Sequence, residues 1–220
     1  MKNKKTIYHF VVDQSSSMAG SEGPTIEGFN SQLKTLQELK LEFPENEYVV
    51  SVSLFQNDVA DIIRFAPIEE IKFLTRENYK PVGLTALLDG IGKSIESIRM
   101  KYELEIQNGE ASVVMVILTD GGENASKFFT RFQIGEMIKE LDSSGKWTFS
   151  FLGAGLDALS VSYNLNIRSE NIMSYDKSDI YGMMGDMSES IRSYEQSKIA
   201  GNLKSNLFDI YEEKDKRSNK

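Results

Sequence analysis

The chain of 220 residues contains no cysteine. That absence excludes a disulfide framework, a thiolate nucleophile and a cysteine-ligated zinc site. Histidine is almost missing as well, since His9 is the only one. It stands inside an apolar run four residues before Asp13, where a packed core role is expected. No G-x-S-x-G elbow accompanies it, so a Ser–His–Asp hydrolase is not supported. No G-x-x-x-x-G-K-[ST] phosphate loop occurs either. Long apolar runs are absent too. The longest, Val113 to Leu118, falls far short of the roughly 20 residues a membrane helix needs. The stretch from Met1 to Asp13 lacks the h-region and cleavage pattern of a secretory signal. These features lead to the expectation of a soluble, cytoplasmic protein with no membrane partner. Positive charge is in deficit: 25 Lys and Arg stand against 33 Asp and Glu, a net charge of −8. Residues 6–200 carry 17 basic and 29 acidic groups, a net of −12. A sequence-blind nucleic-acid partner is excluded, because neutralising phosphates needs clustered Lys and Arg.

What is present is an ordinary globular composition, 40% apolar and 26% charged, in a length that suits one large domain. Strand and helix patterns alternate. Thr6–Val12 reads as a strand buried on both faces and ends at Asp13. Pro24 opens a helical stretch with Ile26, Phe29, Leu33 and Leu36 on one face. Tyr48–Phe55 and Val59–Phe65 are strands separated by Gln56, Asn57 and Asp58, a short polar gap that predicts an antiparallel hairpin. Leu84, Leu87, Leu88, Ile91, Ile95, Ile98 and Tyr102 mark the most amphipathic helix. Ala111–Thr119 is the most apolar strand and is expected at the centre of a sheet. A helix over Phe129–Leu141, a strand over Trp147–Leu152, a short helix over Leu156–Tyr163, a short strand over Asn171–Ser174 and a closing helix from Ile180 complete the order. The fold class is therefore α/β: a doubly wound, mostly parallel six-stranded sheet with one antiparallel edge strand and helices on both faces. The expected organisation is a flexible stretch over 1–5, a single domain over 6–200 and a polar tail over 201–220.

In such a sheet the ligand site lies beyond the carboxyl ends of the strands. There the chain places Asp13-Gln14-Ser15-Ser16-Ser17 after the first strand and Thr119-Asp120-Gly121-Gly122 after the central one. Gly83-Leu84-Thr85-Ala86 stands between them, at the expected start of the strongest helix. Carboxylate and hydroxyl oxygens are hard ligands suited to Mg²⁺ or Mn²⁺. Asp13 and Asp120 together balance a divalent cation. Ser15, Ser17 and Thr85 add oxygens without charge, so the cation stays electrophilic toward one more anionic oxygen. The competing structural reading is that Asp13 and Ser17 merely cap the next helix.

FVVDQSSSM, PVGLTALLDGI and VVMVILTDGGEN resemble the three segments of the metal-ion-dependent adhesion site of von Willebrand factor type A (vWA) domains. The resemblance covers about Thr6 to Tyr175. The tract FSFLGAGLDALSVSYNLNI followed by NIMSYD is similar to the end of small stand-alone bacterial and phage members. The resemblance implies that Ser15 and Ser17 coordinate the metal directly and that Thr85 does so in a ligand-occupied state. Asp13 and Asp120 would hold it directly or through water. It also implies that Mg²⁺, with Mn²⁺ or Ca²⁺ as substitutes, accepts a Glu or Asp carboxylate from a partner protein. The alternative function is a Mg-dependent hydrolase acting on a phosphate or ester. It would need a base near the metal, for which Glu123 is the candidate. Glu22, Glu27, Asp89 and Glu123 flank the site, either tuning it or forming a solvated rim. Gly153-Ala154-Gly155-Leu156-Asp157-Ala158 matches a dinucleotide fingerprint formally, but its place on a late strand makes it a turn.

Overall fold

A computed structural model describes residues 5–176, 179–201 and 206–208. Among these residues, six strands form one sheet in the order β3-β2-β1-β4-β5-β6. They are β1 (Lys5–Asp13), β2 (Glu47–Phe55), β3 (Val59–Pro67), β4 (Ala111–Thr119), β5 (Trp147–Ala154) and β6 (Ile172–Tyr175). All neighbours are parallel except β2 and β3, whose antiparallel pairing closes one edge. The Gln56–Asp58 turn makes that reversal possible, with the Gln56 N–H donating to Asp58 O. β1 and β4 lie at the centre and are buried almost throughout, as continuous Val, Ile and Leu runs require in a sheet covered on both sides.

Among the described residues, five α-helices cover the sheet: α1 (Glu22–Glu42), α2 (Leu87–Gln107), α3 (Arg131–Ser143), α4 (Gly155–Asn164) and α5 (Ile180–Ile199). The period of two along the strands sorts the core into two layers. Tyr8, Phe10, Val12, Val114, Val116 and Leu118 pack against α1 and α5, including Met183, Met184 and Met187. Ile7, Val11, Val113, Met115 and Ile117 pack against α2, α3 and the end of α4. Leu207 and Phe208, beyond α5, are also buried in the first layer. β5 runs directly into α4 through Gly153, Ala154 and Gly155, a strand-to-helix turn. Among the described residues, no helix is long and apolar enough to cross a membrane.

Several boundaries differ from those expected. α1 begins at Glu22, so Pro24 lies within its first turn, where no N–H is needed. α3 begins at Arg131 because Thr130 and Gln133 form a reciprocal capping box there. α2 starts at Leu87, so Leu84, Thr85 and Ala86 are loop rather than helix. The cause is tertiary: the Thr85 N–H and C=O are both taken by Asn124, and Gly83 adopts φ +82°.

Candidate metal centre

The carboxyl ends of β1 and β4 are adjacent, with Val12 paired to Leu118. The turns that follow therefore meet at one sheet edge, and the loop before α2 joins them. Asp13 is fully buried at the end of β1. Its Oδ1 accepts the Ser15 N–H at 2.7 Å, and its Oδ2 accepts the Thr119 hydroxyl at 2.6 Å. The first bond folds the chain back so that Ser15 and Ser17 project together, their Oγ atoms 2.8 Å apart. Ser17 Oγ then donates to Asp120 Oδ1 at 2.6 Å across 103 residues of sequence. Thr85 joins the group at Gly121: a Cβ built there would meet Ser17 Oγ at 3.3 Å and Thr85 Oγ1 at 3.6 Å. The structure thus brings Asp13, Ser15, Ser17, Thr85 and Asp120 to one place. Helix capping does not account for Ser17, whose hydroxyl is spent on Asp120, and Ser21 makes no side-chain cap at the start of α1.

Burial pushes the Asp13 carboxyl up, opposed by the hydrogen bonds from Thr119 and Ser15, and the Asp120 charge adds to the rise. A buried acid next to a second acid is the environment that a bound cation relieves. Tyr79 and Tyr175 line the same region. Burial raises both phenols first, and the charges of Asp13 and Asp120 raise them further. The donor set contains only oxygens. Among the described residues no group of three or more His, Cys, Asp or Glu is gathered, so neither a thiolate–imidazole zinc site nor a carboxylate-rich calcium buffer is built here. The hydroxyls make up the number. Oxygens on adjacent vertices of an octahedron with 2.0–2.1 Å metal–ligand bonds lie about 3 Å apart. The 2.8 Å and 2.6 Å separations of Ser15, Ser17 and Asp120 are close to that spacing, so these residues fit such an ion.

Asp89 and Glu123 do not form a solvated rim, because both carboxylates are taken by backbone donors. The Glu123 carboxylate accepts the N–H groups of Leu88, Ala125 and Ser126 and the Ser126 hydroxyl. Asp89 accepts the N–H groups of Lys127, Phe128 and Phe129. Burial alone would raise the Asp89 carboxyl; those three donors hold it below its ordinary range. Both acids weld the start of α2 to the loop after β4. With four donors on its carboxylate, Glu123 is committed to structure rather than poised as a base.

Sequence reasoning missed the residues that hold the ligand set in place. The Thr119 hydroxyl orients Asp13, and the Tyr79 hydroxyl donates to Asp13 O at 2.8 Å. Asn124 Oδ1 accepts the Thr85 N–H, and Asn57 Oδ1 accepts the Leu84 N–H. Thr119 had a signal, a hydroxyl at the last position of an apolar strand beside a second strand ending in Asp. Tyr79 and Asn57 had none, because they lie in loops without periodicity.

No protein-family model matches the chain, and no curated protein matches it in sequence. Solved structures do match in shape. The pilus adhesin SpaC from Lactobacillus rhamnosus GG, in an open conformation, superposes with a TM-score of 0.62 at 13% identity. That match covers 86% of this chain and 30% of SpaC. A von Willebrand factor type A protein from Catenulispora acidiphila gives 0.56 at 12% identity, over 84% of this chain and 42% of its own. Proximal thread matrix protein 1 from the mussel byssus, with a zinc-occupied MIDAS motif, gives 0.51 at 17% identity, over 84% and 45%. The chain spans less than half the length of each of these three. At such identities the likeness speaks for architecture alone, and on that ground the chain has the fold of von Willebrand factor type A domains.

Proposed function

We propose that this chain is a protein-binding module whose contact is a divalent cation held by Asp13, Ser15, Ser17, Thr85 and Asp120. The observation that carries the reading is the convergence of Ser15, Ser17 and Asp120 oxygens at 2.8 Å and 2.6 Å, with Asp13 buried behind them. The ligand set supplies two negative charges, so a bound Mg²⁺ is neutralised but not saturated. Its remaining affinity is for an anionic oxygen from outside, supplied by a Glu or Asp of a partner protein. The Mn²⁺ ion has the same preference for oxygen ligands and serves as a probe. The zinc-occupied MIDAS motif of the byssus protein, which shares this fold, supports a bound metal, and the adhesin among the structural neighbours supports a role in contact.

Thermal melts with Mg²⁺ or Mn²⁺ against chelator test the metal. An ion binding only the native state raises stability by RT ln(1 + [L]/Kd), about 2.7 kcal/mol at a hundredfold excess over Kd. The wild type should show this shift and Asp13→Ala should not. A wild type insensitive to metal and chelator would overturn the reading.

A further inference from the structure

β6 is a short edge strand, and Tyr175 at its carboxyl end is its one buried residue. Thr119 is level with Gly153, and Gly153 is level with Ser174. One step further along each strand, Asp120, Ala154 and Tyr175 therefore leave the same sheet edge at the same height. Neighbouring strands lie about 4.8 Å apart, which puts the Asp120 and Tyr175 backbones about 10 Å from each other across β5. Ala154, the residue between them, carries only a methyl group and lies in the same core layer as Tyr175. A tyrosine can cross that gap, whereas a larger residue on β5 would block it. The electrostatics agree: after burial, the Asp120 carboxylate acts most on the Tyr175 phenol, followed by Asp13. Yet the Tyr175 hydroxyl is buried with no hydrogen-bond partner among the described residues. A buried phenol without a partner is costly, and tyrosines inside proteins usually find one. Tyr79, the other phenol of this region, has one, since it donates to Asp13 O at 2.8 Å.

We propose that Tyr175 is a positioning residue of the metal centre, its phenolic O–H donating a hydrogen bond to the Asp120 carboxylate when a divalent cation is bound. The proposal rests on the metal reading above and brings the last strand into the site. Ser17 donates to Asp120 Oδ1 in this structure. With the Ser17 and Asp120 oxygens both engaged in coordination, a further donor is needed to fix the plane of the carboxylate. Groups that orient a metal-ligating carboxylate matter nearly as much as the ligand itself. A phenol suits this task. It is a neutral donor, so it steadies the carboxylate without cancelling the negative charge that the cation needs. Its bond to an anion is also charge-assisted. A Lys or Arg in the same place would compete with the cation. The unmet hydroxyl thus weighs on the metal-free protein and is satisfied in the loaded one.

The test is Tyr175→Phe, which removes the hydroxyl and keeps the ring. The measurements are the urea midpoint in chelator, Mn²⁺ affinity by titration calorimetry, and the near-ultraviolet tyrosine difference spectrum on adding Mg²⁺. In chelator the variant should be at least as stable as wild type, because a hydroxyl without a partner has gone. Its Mn²⁺ affinity should nevertheless fall about 10-fold, the low end for losing a group that orients a metal ligand. Wild type should show a red-shifted tyrosine difference band with Mg²⁺, and Tyr175→Phe should lack it. A packing role does not weaken the metal while leaving the metal-free protein intact. A lower midpoint for Tyr175→Phe in chelator would therefore overturn the proposal. So would an Mn²⁺ affinity equal to that of wild type, or a Mg²⁺ difference band that survives the substitution. Each of those results leaves the metal centre standing as long as wild type binds Mn²⁺. A wild type that binds neither ion overturns both.

Discussion

Replacing Thr119 with Val tests how the centre is held together. The two side chains have nearly the same volume, so what changes is the hydroxyl that donates to Asp13 Oδ2 at 2.6 Å and accepts the Gly121 N–H at 3.2 Å. Asp13 is fully buried, and a hydrogen bond to a charged group is worth about 1.5–3 kcal/mol. For a domain of this length that corresponds to a fall in melting temperature of about 3–12 °C. Urea melts at neutral pH in chelator isolate this term from metal binding. The same change in an Asp13→Asn background should cost at least about 1 kcal/mol less, because the acceptor is no longer an anion. Thr119 also orients a carboxylate assigned to the cation, and loss of such a partner weakens metal affinity about 10- to 100-fold. Mn²⁺ titration should show that weakening. A Thr119→Val protein within about 0.5 kcal/mol of wild type, the range of inert surface changes, would refute the argument. So would an equal cost in both backgrounds.

Acid should destabilise the protein through His9. Ser53 gives its hydroxyl proton to Asp61 Oδ1 at 2.6 Å, so His9 Nε2 supplies the proton in the 3.2 Å contact with Ser53 Oγ. Burial lowers the imidazole from 6.5 to about 4. The unfolded chain therefore takes up the proton first, and stability is lost as pH falls from about 6.5 to 4, by about 3 kcal/mol. Urea midpoints across that range should fall more steeply for wild type than for His9→Gln, and parallel curves would contradict the assignment. Gly28→Ala should cost about 1–3 kcal/mol by overpacking. Its new methyl would overlap the Met184 side chain, whose Cβ would stand only 2.8 Å away, and calorimetry reads the loss. Glu123→Ala strips acceptors from three N–H groups and one hydroxyl. It should destabilise by at least about 2 kcal/mol and weaken Mn²⁺ binding, because the Thr85 and Asp120 loops lose their weld.

The fold was legible to a large degree because its signals are local. Continuous Val and Ile runs, a 3.6-residue apolar face in α2 and a polar turn at Gln56–Asp58 each act over a few residues. Together they imply a parallel sheet with one antiparallel edge. Boundaries were less legible, since the start of α2 depends on Asn124 capturing both backbone groups of Thr85 from 39 residues away. The candidate ligand residues announced themselves through oxygen chemistry at strand ends, and the register between β1 and β4 is what carries them to one edge.

The sequence by itself determined the alternation of elements, the acidic and oxygen-rich character of the candidate centre, and the absence of thiolate or imidazole chemistry. Those follow from residue identity and periodicity. Only the tertiary structure decided that Asp89 and Glu123 are structural welds, that Thr119 and Tyr79 hold Asp13, and that the Tyr175 hydroxyl is buried without a partner among the described residues. Each of these depends on which hydrogen-bonding partner is within reach, and that is set by the packing of distant segments rather than by neighbours in the chain.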